Sequence, residues 1–117
     1  MKLHAHFSHK ALADVSTIQD WTLEHFGEIS SKRYDELLEK AVADLLNNPT
    51  CLGVSQHPAL HKSLLVYHLR FSRIKNSKTA VRNPRHFIVF HLQDNQLSVL
   101  RVLHHSMDLP IHLLAEE

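Results

Sequence analysis

Glycine and cysteine are almost missing from this chain. Its 117 residues include one cysteine, Cys51, and two glycines, Gly27 and Gly53. A single thiol excludes an intramolecular disulfide and any zinc or iron–sulfur cage built from several cysteines, and it fits a reducing compartment. Two glycines so far apart cannot build a Walker loop or a dinucleotide fingerprint, because both need clustered glycines against phosphate. Long apolar runs are absent too. None approaches the roughly 18 residues that a membrane span requires. Met1-Lys2-Leu3-His4-Ala5-His6-Phe7 offers no unbroken apolar stretch for a signal peptide. The expectation is one cytoplasmic domain over residues 1–117, with no membrane partner. The apolar fraction of 44% and charged fraction of 21% are those of a globular protein rather than a disordered one.

Acid is missing from the middle of the chain. Residues 45–93 carry Lys62, Arg70, Arg73, Lys75, Lys78, Arg82 and Arg85 without one carboxylate, a local charge of +7. The flanking segments, 1–44 and 94–117, each sum to −3, so the net charge of +1 conceals a polarised chain. Such a distribution implies a positive patch facing an anionic partner. The plainer alternative is a solvated loop neutralised by the acidic helices.

What is present reads as an α+β domain. Leu3, Ala5 and Phe7 alternate with His4, His6 and Ser8, so residues 2–8 predict a strand. Leu12, Val15, Ile18, Trp21 and Thr22 then fall three or four apart, predicting a helix over residues 10–26 that Gly27 stops. Tyr34, Leu37, Leu38, Ala41, Val42, Leu45 and Leu46 predict a second helix over 30–47, capped at Ser30 or Ser31 and ended by Asn47-Asn48-Pro49. A link of about three residues makes the pair an antiparallel hairpin. Residues 50–63 read as loop. Residues 64–71, 86–92 and 97–104 predict three strands in an antiparallel meander, the last two joined by a tight turn at Gln93-Asp94-Asn95-Gln96. The expected fold is a helical hairpin on one face of a curved four-stranded sheet. Leu64-Leu65-Val66-Tyr67 and Phe87-Ile88-Val89-Phe90 are apolar on both faces, so the second face also wants a cover.

The end of the last strand carries a family likeness. Arg101-Val102-Leu103-His104-His105-Ser106-Met107-Asp108 resembles the closing motif of ParE toxins in the RelE/ParE superfamily of type II toxin–antitoxin systems. The Trp21…Gly27…Tyr34 spacing, the Asn48-Pro49-Thr50-Cys51-Leu52-Gly53 exit and His86-Phe87-Ile88-Val89-Phe90 resemble the family's hairpin, hairpin exit and penultimate strand. The connection over 72–85 is longer and more basic than the family's usual one. The resemblance implies a toxin neutralised by a cognate antitoxin, ParD-like or another small one, in a hetero-oligomer. It implies inhibition of DNA gyrase and a block to replication, or, for the RelE branch, ribosome-dependent cleavage of mRNA. The leading expectation is the gyrase inhibitor, with no catalytic activity and no cofactor.

The residues divide along the same line. Cleavage at a ribose 2′-OH needs a proton-transfer group and cations beside the phosphate. His104, with Arg101, Arg70 and Arg85, fits that description. In the other reading His104 closes the sheet as part of the motif Arg101, Val102, Leu103, His104, Ser106, Met107 and Asp108. Arg70, Arg73, Lys75, Lys78, Arg82 and Arg85 are then the candidates for target contact. Ser106, a neighbouring histidine and Asp108 are too close in sequence to converge as a hydrolase triad. Twelve histidines invite a metal site, but no HExxH helix or Cys/His cluster accompanies them, so none is expected. Trp21 and Tyr34 are expected in the core, and Cys51 has no activating neighbour.

Overall fold

The computed structural model describes residues 2–56, 63–73, 81 and 83–105. Strand β1 spans His4–Phe7, and the helical segment α1 spans His9–Asn47. Strands β2 (Val54–Ser55), β3 (Leu65–His68), β4 (His86–Gln93) and β5 (Gln96–His104) follow, with one 3-10 turn at Leu69–Ser72. The change of period at Ser8 is a change of structure. Its hydroxyl accepts the Ala11 N–H at 3.0 Å and so caps α1.

Gly27 interrupts α1 with φ 88° and ψ 177°, a conformation open to glycine almost alone. The chain doubles back there. Gln19 Nε2 donates to Asp35 Oδ1 at 3.1 Å, whereas sixteen residues of straight helix would separate them by roughly 24 Å. The predicted hairpin is therefore present, with a single residue as its link instead of about three. The arm before Gly27 buries Ala11, Ile18 and Thr22, and the arm after it buries Leu37, Leu38, Ala41 and Leu45.

The sheet has five strands rather than four, in the order β1-β5-β4-β3-β2. The extra strand is a two-residue edge in a stretch read as loop, with Val54 opposite Tyr67 and Ser55 opposite Val66. Strand β3 stops at His68, short of the predicted Phe71. The His68 ring caps a 3-10 turn there, Nδ1 accepting the Arg70 N–H at 3.0 Å. The meander is antiparallel as expected, but β1 lies parallel to β5. Parallel neighbours need a long crossover, which the helical hairpin supplies.

One irregularity positions the rest. Val89 pairs with Arg101 and Phe90 with Val99, leaving Leu100 as a bulge in β5. The extra residue lets Val99 and Val102, three apart, both enter the core against α1. It also leaves backbone groups without ladder partners, and the start of α1 supplies them. Ser8 Oγ donates to the Leu100 carbonyl at 2.7 Å, and Asp14 Oδ2 accepts the Val102 N–H at 2.9 Å. The same carboxylate takes Arg101 in a two-pronged ion pair, Nε to Oδ2 at 2.7 Å and Nη2 to Oδ1 at 2.9 Å.

The helix-side core joins Leu37, Leu45, Tyr67, Leu69, Ile88, Phe90, Leu97 and Val99. The reverse face is not bare. Phe87, Val89 and Leu103, with Val66 beside them, form a second buried cluster there. A polar strap closes the sheet's other side. Tyr67 donates to Ser72 at 2.7 Å, and Ser72 donates to Asp44 at 2.7 Å, with Lys40 Nζ 2.9 Å away. Desolvation pushes the Asp44 carboxyl up, but the bonds from Ser72 and Lys40 outweigh it and hold the group below the usual range.

Asp14→Ala is expected to cost about 3 kcal/mol or more in urea denaturation, because it leaves Arg101 and the Val102 N–H without their shared partner. Leu12→Ala, at an exposed position on the same helix, should stay within about 0.5 kcal/mol. Gly27→Ala should cost about 1–3 kcal/mol from backbone strain alone, since an added Cβ there meets nothing within 4 Å. A Gly27→Ala protein as stable as the parent would refute the assigned turn.

Candidate functional site

The meander brings three strand ends to one edge, and each carries histidine. Strand β3 ends at His68, β4 begins at His86, and β5 ends at His104 with His105 following. Register places His86 opposite His104 and His68 opposite Phe87. The His86 and His104 rings meet edge to face at 5.3 Å between centroids, His104 and His105 at 4.8 Å, and His68 and His105 at 5.9 Å. The His105 N–H donates to the Arg85 carbonyl at 2.8 Å, extending the pairing past the strand end.

Hydrogen bonding assigns the proton on one of these rings. His68 Nδ1 accepts from Arg70, so the neutral ring carries its proton on Nε2. That Nε2 is buried and finds no hydrogen-bond partner. Tyr34, on the second arm of α1, accepts the Arg85 N–H at 3.2 Å, and its hydroxyl shares a hydrogen bond with His86 Nδ1 at 2.6 Å. The His68 ring offers no Nε2 lone pair to a metal. No three His, Cys, Asp or Glu side chains among the described residues are arranged to hold one.

Burial sets the electrostatics. It pushes the Tyr34 hydroxyl up to about 12. It brings His86 down to about 4, helped by the neighbouring His104, His105 and His68. It brings His68 down to about 4, helped by Arg70 and His105. His104 is lowered by burial, then by His105 and Arg85. His68 and His86 are therefore neutral imidazoles at neutral pH.

Arg101, one of the cations expected beside His104, is turned onto Asp14. Arg70 is exposed, with its guanidinium 4.8 Å over the Phe71 ring. Arg85 is exposed directly before His86, its backbone N–H bonded to Tyr34, and Arg73 is partly buried at the end of the 3-10 turn. Val102, Leu103 and His104 lie in β5 as predicted. Lys75, Lys78, Arg82, Ser106, Met107 and Asp108 lie outside the described residues. Tyr34 packs against the core as predicted and is a polar hub as well, whereas Trp21 is 51% exposed, so its predicted core role fails. Sequence reading passed over His68, His86, Ser8 and Asp14. A histidine in every predicted strand of the meander was the available signal for the first two.

This architecture is that of solved toxin–antitoxin proteins. A chain from the chromosomal ParDE toxin–antitoxin system of P. aeruginosa superposes with a TM-score of 0.63 at 14% identity, covering 88% of this chain and 96% of that one. Chains from two structures of the E. coli DinJ–YafQ complex give 0.57 at 14% identity and 0.56 at 16%. They cover 91% and 90% of this chain, and 96% of theirs in each case. No curated protein sequence matches. The family model for the ParE toxin of the type II toxin–antitoxin system parDE matches residues 5–109. The chain belongs to that family. It is a type II toxin of the ParE/RelE fold, and no helix among the described residues is long and apolar enough to cross a membrane.

The depressed histidines carry a pH signature. His68 and His86 bind protons near pH 4 when folded and near the ordinary 6.5 when unfolded. Their contribution to stability is complete above pH 6.5 and is lost as pH falls from 6.5 towards 4. Urea unfolding across that window should show uptake approaching about two protons per molecule. A His86→Gln, His68→Gln double variant should flatten the profile. A parent stability that is flat from pH 7 to 4.5 would overturn the assignment.

Proposed function

We propose that this toxin acts by binding and inhibiting DNA gyrase in the cytoplasm, blocking replication, and is held in check by a small cognate antitoxin. The observation that carries this reading is the use made of Arg101. Within the closing motif it is committed to Asp14 and to holding the bulge of β5, so the motif builds the sheet instead of supplying a cation to a phosphate. The ParE family match supports the same choice, and the toxin–antitoxin assemblies among the structural relatives support an antitoxin partner. Target contact falls to the exposed Arg70 and Arg85, in a region of the chain without acid.

A second reading, ribosome-dependent mRNA cleavage, is favoured by one feature: four histidines gathered beside those arginines. The two readings separate cleanly. Arg70→Ala with Arg85→Ala should weaken inhibition of gyrase supercoiling about tenfold or more, at unchanged melting temperature, since exposed charges contribute little to folding. His104→Ala should lose toxicity only as far as it loses stability. A fully folded His104→Ala chain without toxicity, alongside mRNA cleavage by the parent, would replace the gyrase reading with the nuclease. Loss of one proton-transfer group costs such an enzyme about 100- to 10,000-fold in rate.

A further inference from the structure

The turn of the helical hairpin carries large apolar side chains that the fold does not use. Trp21 is 51% exposed, Leu23 47%, Phe26 63% and Ile29 68%, all within nine residues around Gly27. Single exposed apolar residues are ordinary, whereas a tryptophan, a phenylalanine and an isoleucine together at one tip are not. Two of them are already set in place. The Trp21 ring stacks on His25 at 4.2 Å and meets Phe26 edge to face at 5.5 Å. His25 Nδ1 is itself tied to the Trp21 carbonyl at 2.9 Å. A large aromatic held in one orientation before docking loses little entropy on binding, which is the character of an interface anchor.

The surroundings say what kind of partner fits. Asp20 and Glu24, four apart on the first arm, form an exposed acidic stripe beside Trp21, and Glu28 is exposed next to Gly27. Residues 20–29 hold three carboxylates and no lysine or arginine. A second copy docking tip to tip would set these carboxylates against their like. An anionic lipid surface would meet the same repulsion. A segment with an apolar stripe and lysine or arginine at its borders would satisfy both the aromatic anchors and the acidic rim.

We propose that the hairpin tip, centred on Trp21, Phe26 and Ile29, is a docking surface for a basic amphipathic segment of a protein partner. The inference does not depend on whether gyrase or mRNA is the target.

Trp21 is the only tryptophan in the chain, so its fluorescence reports this surface alone. The full-length protein is titrated with a helical peptide of leucine and lysine, and separately with its leucine–glutamate counterpart. The lysine peptide should shift Trp21 emission to the blue with saturation, and the glutamate peptide should bind about tenfold more weakly or worse. Phe26→Ser with Ile29→Ser should weaken the lysine peptide by about tenfold or more, with unchanged circular dichroism, since both side chains are exposed. Asp20→Lys with Glu24→Lys should invert the preference between the peptides. No shift with the lysine peptide, or equal binding of both peptides, would overturn the proposal. So would concentration-dependent self-association that shifts Trp21 without peptide, or a comparable shift on vesicles of phosphatidylglycerol.

Discussion

A single carboxylate holds the two layers of this protein together. Asp14, one and a half turns into α1, reaches β5, the strand between β1 and β4, and accepts three hydrogen bonds there, two from Arg101 and one from the Val102 backbone. Those bonds exist because β5 carries an extra residue at Leu100. A regular strand would have spent the Val102 N–H on its neighbour and sent alternate side chains to alternate faces without interruption. The bulge frees backbone groups, and Ser8 and Asp14 absorb them from the first turns of the helix. Burying that N–H and that guanidinium unmet would cost several kcal/mol. The bulge and the helix start are therefore one device, and neither is stable without the other.

Two further polar straps repeat the design along the hairpin. Tyr34 links the second arm to the start of β4 through Arg85 and His86. Asp44 links the end of the same arm to β3 through Ser72 and Tyr67. Apolar burial presses α1 onto the sheet without specifying an angle, because the hydrophobic effect is not directional. Three sets of directed hydrogen bonds, at residues 14, 34 and 44, supply the angle and the register. At the foot of the sheet, Phe71 packs its ring on Gly53, which sits at φ 104° with no room for a side chain. The second of the chain's two glycines is thus required by a close approach, as the first is by a reversal.

The elements that were legible in sequence were those with a strong period. The switch from alternation in Leu3-Ala5-Phe7 to helical spacing at Leu12-Val15-Ile18 marks β1 and α1 without ambiguity, and β4 and β5 stand out by β-branched and aromatic content. Strand β2 was illegible because two residues carry no period. The early end of β3 turned on a side-chain cap by His68, which no propensity for Leu69-Arg70-Phe71 announces. The parallel pairing of β1 depends on long-range topology alone. At the site, His104 and the arginines were visible through their resemblance to a motif, but Arg101's partner lies 87 residues away and leaves no local trace. Trp21 was misplaced for a related reason. Its spacing fits the apolar face of the first arm, but the next position, Thr22, takes the buried place beyond Ile18 and leaves Trp21 exposed.

The state of the histidines bears on which chemistry the molecule can support. An mRNA nuclease must both accept a proton from the attacking hydroxyl and return one to the leaving oxygen, ideally with groups that titrate near neutral pH. His68 and His86 are held neutral well below that range by burial, and each has Nδ1 in a hydrogen bond, from the Arg70 N–H in one case and with the Tyr34 hydroxyl in the other. Protonating His68 would turn that acceptor into a second donor facing the Arg70 N–H, so charge on this ring works against its cap. Both serve as caps and packing surfaces, and neither is a charge reservoir. The positive charge at this edge comes from the exposed Arg70 and Arg85. Two buried, hydrogen-bonded imidazoles thus build the edge, and two guanidiniums on its surface face whatever meets it.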